Sequence, residues 1–376
     1  MRPVPTGLFA TSAPLVDTAA LADLDDAESR AHHHLYEHLI GLWAPGLIEA
    51  CHDLGIFTAL RRGPASATDV ADAVGADPRA VRVLLDGLQA YGIVRRAESG
   101  DPHPVYLLPA ELHQAFSPDG LYSLAGKISH DRGIAWDAWR RLADRARTDT
   151  RSDGAPPRPN QISEDDYTAL VRGINFWAPP IVHRLAGALR ESGWAARTAP
   201  TLLDVGCGTG IYSHLLLREF PELTAHGLDA ERIIPIAERQ AARLGLAPSR
   251  FRGRTGDFWN DDWGSGYDLV LFVNIFHLQT PELACALLAK AAGSLAADGV
   301  IAIADHIVDD AEPDSPQNRF SRLFAVSMLA TGGGDAFTVQ EYDRWLASAR
   351  LRRFRLVNTP MHRVLLARRA AGPAAA

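Results

Sequence analysis

The sequence predicts an α/β protein: a doubly wound, Rossmann-like parallel sheet with an antiparallel terminal hairpin, preceded by a mostly helical winged-helix domain. Three observations carry this. From Thr201 the apolar runs "TLLDV", "TAHGLD", "YDLVLFVNI" and "GVIAIAD" alternate with helical patterns at 211–219, 231–244 and 281–296, as parallel strands covered on both faces require. The first run opens into "DVGCGTG", a glycine-rich turn between strand and helix. Upstream, "SATDVADAVGADPRAVRVLLDGLQAYGIV" reads as two short helices, and the stretch after it as two short strands.

Residues 1–29 hold prolines and acids where a secretory segment would be continuous and apolar, so a mobile arm is expected. Residues 30–118 form the winged-helix domain. Leu39, Leu42, Leu47, Ile48 and Leu54 recur at helical spacing. Ser66 or Thr68 caps the next helix and Gly75 ends it; Asp77-Pro78 opens another, which Gly92 ends. Two strands then flank a Ser-Gly-Asp-Pro turn. Along the second helix Arg79 and Arg82 are offset by Asp77 and Asp86, and in the wing Arg95 and Arg96 by Glu98 and Asp101. That balance favours a protein–protein module of the same shape over a DNA reader.

Residues 119–198 are read as a helical connector and substrate lid, interrupted near 147–166 by a polar, Pro-rich loop. Residues 199–370 form the sheet domain, closed by a hairpin around Thr359-Pro360.

The totals restrict the function. At 376 residues the chain can build two cores, and 47% apolar with 22% charged residues describes a folded globular protein. A net charge of −7 opposes nucleic acid and anionic lipid as partners. Cys51, Cys207 and Cys285 form no C-x-x-C pair, so no disulfide framework or thiolate zinc site is expected, and a cytoplasmic location fits. The most apolar runs are about half the length of a membrane-spanning helix.

The glycine loop decides the ligand. A dinucleotide fingerprint would need glycine at 211, which is Ile211, and the Lys-Ser/Thr ending of a phosphate loop is missing. Gly206, Gly208 and Gly210 follow Asp204 instead; Asp229 ends the next strand, where a carboxylate meets ribose hydroxyls, and "GDFW" adds Asp257 and Phe258 for a purine. These groups suit a nucleoside with a short charged tail better than a pyrophosphate.

Here the chain resembles the class I S-adenosylmethionine-dependent small-molecule O-methyltransferases that carry an N-terminal winged-helix dimerisation domain, over roughly residues 30–370. The motifs are "DVGCGTG", "GDFW" and "GIFTALRRGPASATDVADAVGADPRAVRVLLDGLQAYGIV". The resemblance implies S-adenosylmethionine held by Asp204, the three glycines, Asp229, Asp257, Phe258 and Asn274. It implies a homodimer and a small-molecule acceptor. His277, beyond the fourth strand, becomes the general base and Asp305 its orienting acid. Asn175, Phe176 and Trp177 on one side, and Phe324 with Met328 on the other, would line the acceptor site.

There are departures. His277-Leu278-Gln279 stands where the family often has His-Asp-Trp, Val273 where some relatives have Lys, and "TGGGDAFT" offers only Asp335. Carbon methylation, or cofactor binding without transfer, remain open on this scaffold. A ligand-sensing winged-helix regulator is the alternative from another class. A metal held by His277, Asp305 and His306 is disfavoured, because neighbours on a strand point to opposite faces.

Overall fold

The computed structural model describes residues 20, 26–97, 103–148, 164–331 and 333–370. The expected Ser-Gly-Asp-Pro turn, nearly all of the polar loop and most of the N-terminal arm lie outside the described residues. The chain divides between Ile128 and Ser129 into two compact units, so the connector's helices beyond residue 128 group with the sheet.

In the first unit a helix starts at Ala27, capped by the Asp26 side chain, and runs to Leu39. The winged helix follows as expected. Ser66 and Asp69 form a capping box for the helix Ala67–Val74, which Gly75 ends in a left-handed conformation. Asp77 caps the helix Pro78–Ala90. Strands β1 (Ala65–Ser66), β2 (Arg95–Arg96) and β3 (Val105–Leu107) pair in the order β1-β3-β2. Arg82 and Arg96 both reach the Asp86 carboxylate, which also accepts the Tyr106 hydroxyl.

The second unit is built on a seven-stranded sheet: β4 (Thr201–Val205), β5 (Thr224–Asp229), β6 (Phe251–Thr255), β7 (Tyr267–Val273), β8 (Leu295–Asp305), β9 (Leu351–Asn358) and β10 (Arg363–Arg369), ordered β6-β5-β4-β7-β8-β10-β9. Strands β4 to β8 are parallel, and β10 runs against both its neighbours. The terminal hairpin therefore docks by its second strand and leaves its first at the edge. β7 is buried almost throughout, which is why its sequence is apolar without alternation. Chain order reverses between β4 and β7, placing a crevice at their carboxyl ends.

Sequence boundaries shift where the backbone changes hand or direction. The run expected to reach Ile275 as strand ends at Val273, because Asn274 turns left-handed (φ 57°). The helix expected at 281–296 stops at Ser294, where Leu295 is already extended into β8. The helix expected at 231–244 is Ile234–Arg243. β6, counted as the third strand but given no bounds from sequence, is "FRGRT", an edge strand rich in arginine.

Candidate active site

Gly206, Gly208 and Gly210 all have positive φ, at 70°, 56° and 72°. A side chain there would also force its neighbours to shift. A Cβ at Gly206 would meet Ile275 Cδ1 at 2.6 Å, and one at Gly210 the His214 ring at the same distance. The turn lies flat between the tip of β4 and the helix Ile211–Glu219, whose first N–H groups suit a ligand carboxylate.

Neighbouring strand tips are stitched to it. The Gly206 N–H donates to Leu228 O at 2.8 Å, and the Gly208 N–H to Asp229 Oδ2 at 2.8 Å. Asp229 also accepts from the Ala230 N–H at 2.7 Å, and burial raises its carboxyl above the ordinary value. The Gly256 N–H donates to Asp229 O, which brings Asp257 and Phe258 to the same end of the sheet. Asp257 is exposed and accepts from the Trp259 N–H; Phe258 is half-buried beside Trp259. Asp204 lies deeper. It is 2% exposed, accepts the Ser213 hydroxyl, and burial pushes its carboxyl up to about 7.

Asn274 stands at the tip of β7. Its N–H donates to Ala304 O at 3.0 Å, while its buried Oδ1 has no partner. An unmatched buried acceptor costs roughly 1–3 kcal/mol, and a ligand donor at this strand tip would remove that cost.

Parallel pairing of Val273 with Ala304 brings the ends of β7 and β8 together. The single turn Phe276–Leu278 then folds over Asp305. Phe276 and His277 donate their N–H groups to Asp305 Oδ2, at 2.8 and 3.2 Å; the His306 N–H donates to Oδ1 at 2.8 Å. His277 Nδ1 lies 2.8 Å from the same Oδ1. Burial alone would raise this carboxyl, but His277, His306 and the bonded N–H groups hold it well below the usual carboxylate range. Asp305 is thus an anion that makes Nδ1 the donor and leaves Nε2 to accept.

His306 is a correction. The alternation of a strand was expected to turn it away from His277, yet the rings are 5.7 Å apart. β8 ends at Asp305, and the Ile307 N–H closes a tight turn onto Asp305 O, so strand alternation no longer applies. Among the described residues no group of three or more His, Cys, Asp or Glu side chains is arranged to hold a metal ion.

Of the expected acceptor wall, Trp177 and Phe324 reach this end of the sheet: Trp177 lies edge-on to His306 and His362, and Phe324 against His277 at 5.0 Å. Phe176 is half-buried next to Trp177, and Met328 lies where a side chain at Gly334 would touch it. Asn175 turns toward the glycine loop. Its amide accepts the Thr209 hydroxyl at 2.7 Å and donates to Gln240 at 3.2 Å, while Gln240 donates to Thr209 O. Sequence reading missed Thr209, Gln240 and His362; no periodicity or spacing marked them.

Two family models match the chain: an O-methyltransferase dimerisation domain over residues 36–110 and an O-methyltransferase domain over 188–352. Together they span more than half of it. The fold, the glycine loop and the matched domains define an S-adenosylmethionine-dependent enzyme, and the chain belongs to the class I O-methyltransferases with an N-terminal dimerisation domain. It is 26% identical to the 3-hydroxy-5-methyl-1-naphthoate 3-O-methyltransferase of Streptomyces sahachiroi, over 82% of this chain and 86% of that one. It is 24% identical to the L-tyrosine C(3)-methyltransferase of Streptomyces lavendulae, over 83% and 84%. Among solved structures it is similar to human N-acetylserotonin methyltransferase in complex with SAM, with TM-score 0.76, 19% identity and coverage of 93% and 100%. No helix among the described residues is long and apolar enough to cross a membrane.

Proposed function

We propose that the chain methylates a hydroxyl of a small apolar or aromatic metabolite of the secondary-metabolite type, with His277 as general base, and that it works as a cytoplasmic homodimer without nucleic acid or membrane as partner. The observation that carries this is the 2.8 Å contact between His277 Nδ1 and Asp305 Oδ1.

Bound S-adenosylmethionine supplies a methyl carbon on a sulfonium sulfur. The left-handed glycine turn would take the methionine end, Asp229 the ribose, and Asp257 with Phe258 the adenine; Asp204 would support the loop, and the unpartnered Asn274 Oδ1 would supply an acceptor at the adjoining tip. The chain's own work is alignment and proton removal. Phe176, Trp177, Phe324 and Met328 offer apolar surface that holds an acceptor in line, and such positioning supplies much of the acceleration. His277 Nε2 takes the hydroxyl proton as oxygen forms its bond to the methyl carbon and the carbon–sulfur bond breaks. Asp305 then stabilises the imidazolium.

The test is His277→Ala, with methyl transfer and cofactor binding measured separately. Turnover is expected to fall to background while cofactor affinity stays within about threefold. Full turnover in this variant overturns the assignment of the base. A carbon acceptor is the second reading, favoured by the similarity to an L-tyrosine C(3)-methyltransferase and by Leu278-Gln279 after the base; the chemical shift of the transferred methyl group decides between them.

A further inference from the structure

The imidazole rings of His306 and His362 have no part in the reaction as derived above, where only the His306 N–H serves Asp305, yet both are built into the same end of the sheet. Each is 1% exposed. Neither ring nitrogen of His306 has a hydrogen-bond partner, nor does Nε2 of His362. Their rings lie 4.3 Å apart; His306 stacks on Phe324 at 3.6 Å, and its centroid is 5.7 Å from that of His277. Trp177 meets both rings edge-on.

Three unmatched buried nitrogens in one cluster are unusual, since interiors normally satisfy such groups. An apolar residue would fill the same space without the penalty. Burial holds both imidazoles below their ordinary value, His362 at about 4. Each is therefore neutral near pH 7; His306 offers one donor and one acceptor, and His362 adds its Nε2, a set suited to an uncharged oxygen group.

We propose that His306 and His362 form a second polar subsite for the acceptor, receiving a hydroxyl or carbonyl oxygen carried on the same ring as the hydroxyl presented to His277. This rests on the reading that the acceptor binds at His277. The spacing of the His277 and His306 rings suits two oxygens on one aromatic nucleus, and Trp177 with Phe324 supplies faces for that nucleus. The enzyme then selects dioxygenated aromatic acceptors over singly hydroxylated ones, because a buried polar site left unmatched rejects a ligand lacking the group.

The test is binding by calorimetry, on full-length protein loaded with S-adenosylhomocysteine, of a naphthalenediol with both hydroxyls on one ring and of a naphthol. The wild type is expected to favour the diol by about tenfold or more. His306→Phe and His362→Phe keep an aromatic ring of similar size; each is expected to erase the preference while the ligand-free melting temperature does not fall. Absence of preference in the wild type, or its survival in both variants, overturns the subsite. Methyl transfer is assayed in parallel. Transfer to naphthol without diol preference removes the subsite alone, whereas diol preference without transfer to either probe counts against the proposed reaction instead.

Discussion

His277 Nδ1 and Asp305 Oδ1 are 2.8 Å apart at the adjoining ends of β7 and β8, and three backbone N–H groups converge on the same carboxylate. No orientation of an amide can accept all four. Asp305→Asn is accordingly expected to lower kcat by about a hundredfold or more through loss of the imidazole's orientation. Cofactor affinity, measured by calorimetry, should change little; a kcat within twofold of wild type would show that the pairing is structural only.

Gly206→Ala places a side chain on a residue at φ 70° and against Ile275 Cδ1 at 2.6 Å. The loop must open. Cofactor affinity is expected to fall at least about tenfold while the far-ultraviolet circular dichroism is retained. Unchanged affinity would mean that the ligand does not lie on this turn.

Stability should fall on acidification between about pH 6.5 and 4. Burial lowers His214 and His362 to about 4 and holds His306 well below its ordinary value, so below pH 6.5 the unfolded chain binds protons that the native one refuses, and stability rises with pH. Asp204 acts oppositely. Its carboxyl is raised to about 7, so its contribution is complete below the ordinary carboxylate value and disappears as pH climbs through 7. Asp229, also raised by burial, acts with it, but four lowered histidines, His226 among them, outnumber the two carboxyls across that window. Melting temperatures of wild type and His214→Phe at pH 7 and pH 5 check this: the variant is expected to lose less on acidification.

Leu35, Leu39, Leu42 and Trp43 are 57–65% exposed on the N-terminal helices, within and beside the segment matched by the dimerisation model. Apolar exposure on this scale marks a partner surface. Leu39→Glu with Trp43→Glu is expected to convert a dimer to monomers in sedimentation velocity, and an unchanged mass would move the interface elsewhere.

Much of this was legible in the chain itself. Local rules fix local features: Asp77-Pro78 starts a helix, Gly75 ends one, and an apolar run such as Leu269–Val273 of β7, between turn signals, reads as an interior strand. The glycines of "DVGCGTG" announced a turn because other residues resist positive φ. His277 and Asp305 were nameable because one follows β7 and the other ends β8, neighbouring strands that a parallel sheet brings together.

Only the tertiary structure decided what depended on contacts distant in sequence. It assigned Asn175 to the glycine loop through Thr209 and Gln240, inserted β10 between β8 and β9, and turned His306 toward His277 after β8 had ended. None of these has a local signature. Each is set by which surfaces meet when the sheet and its covering helices close, and the unmatched nitrogens of His306 and His362 exist only because that closure removes water from them.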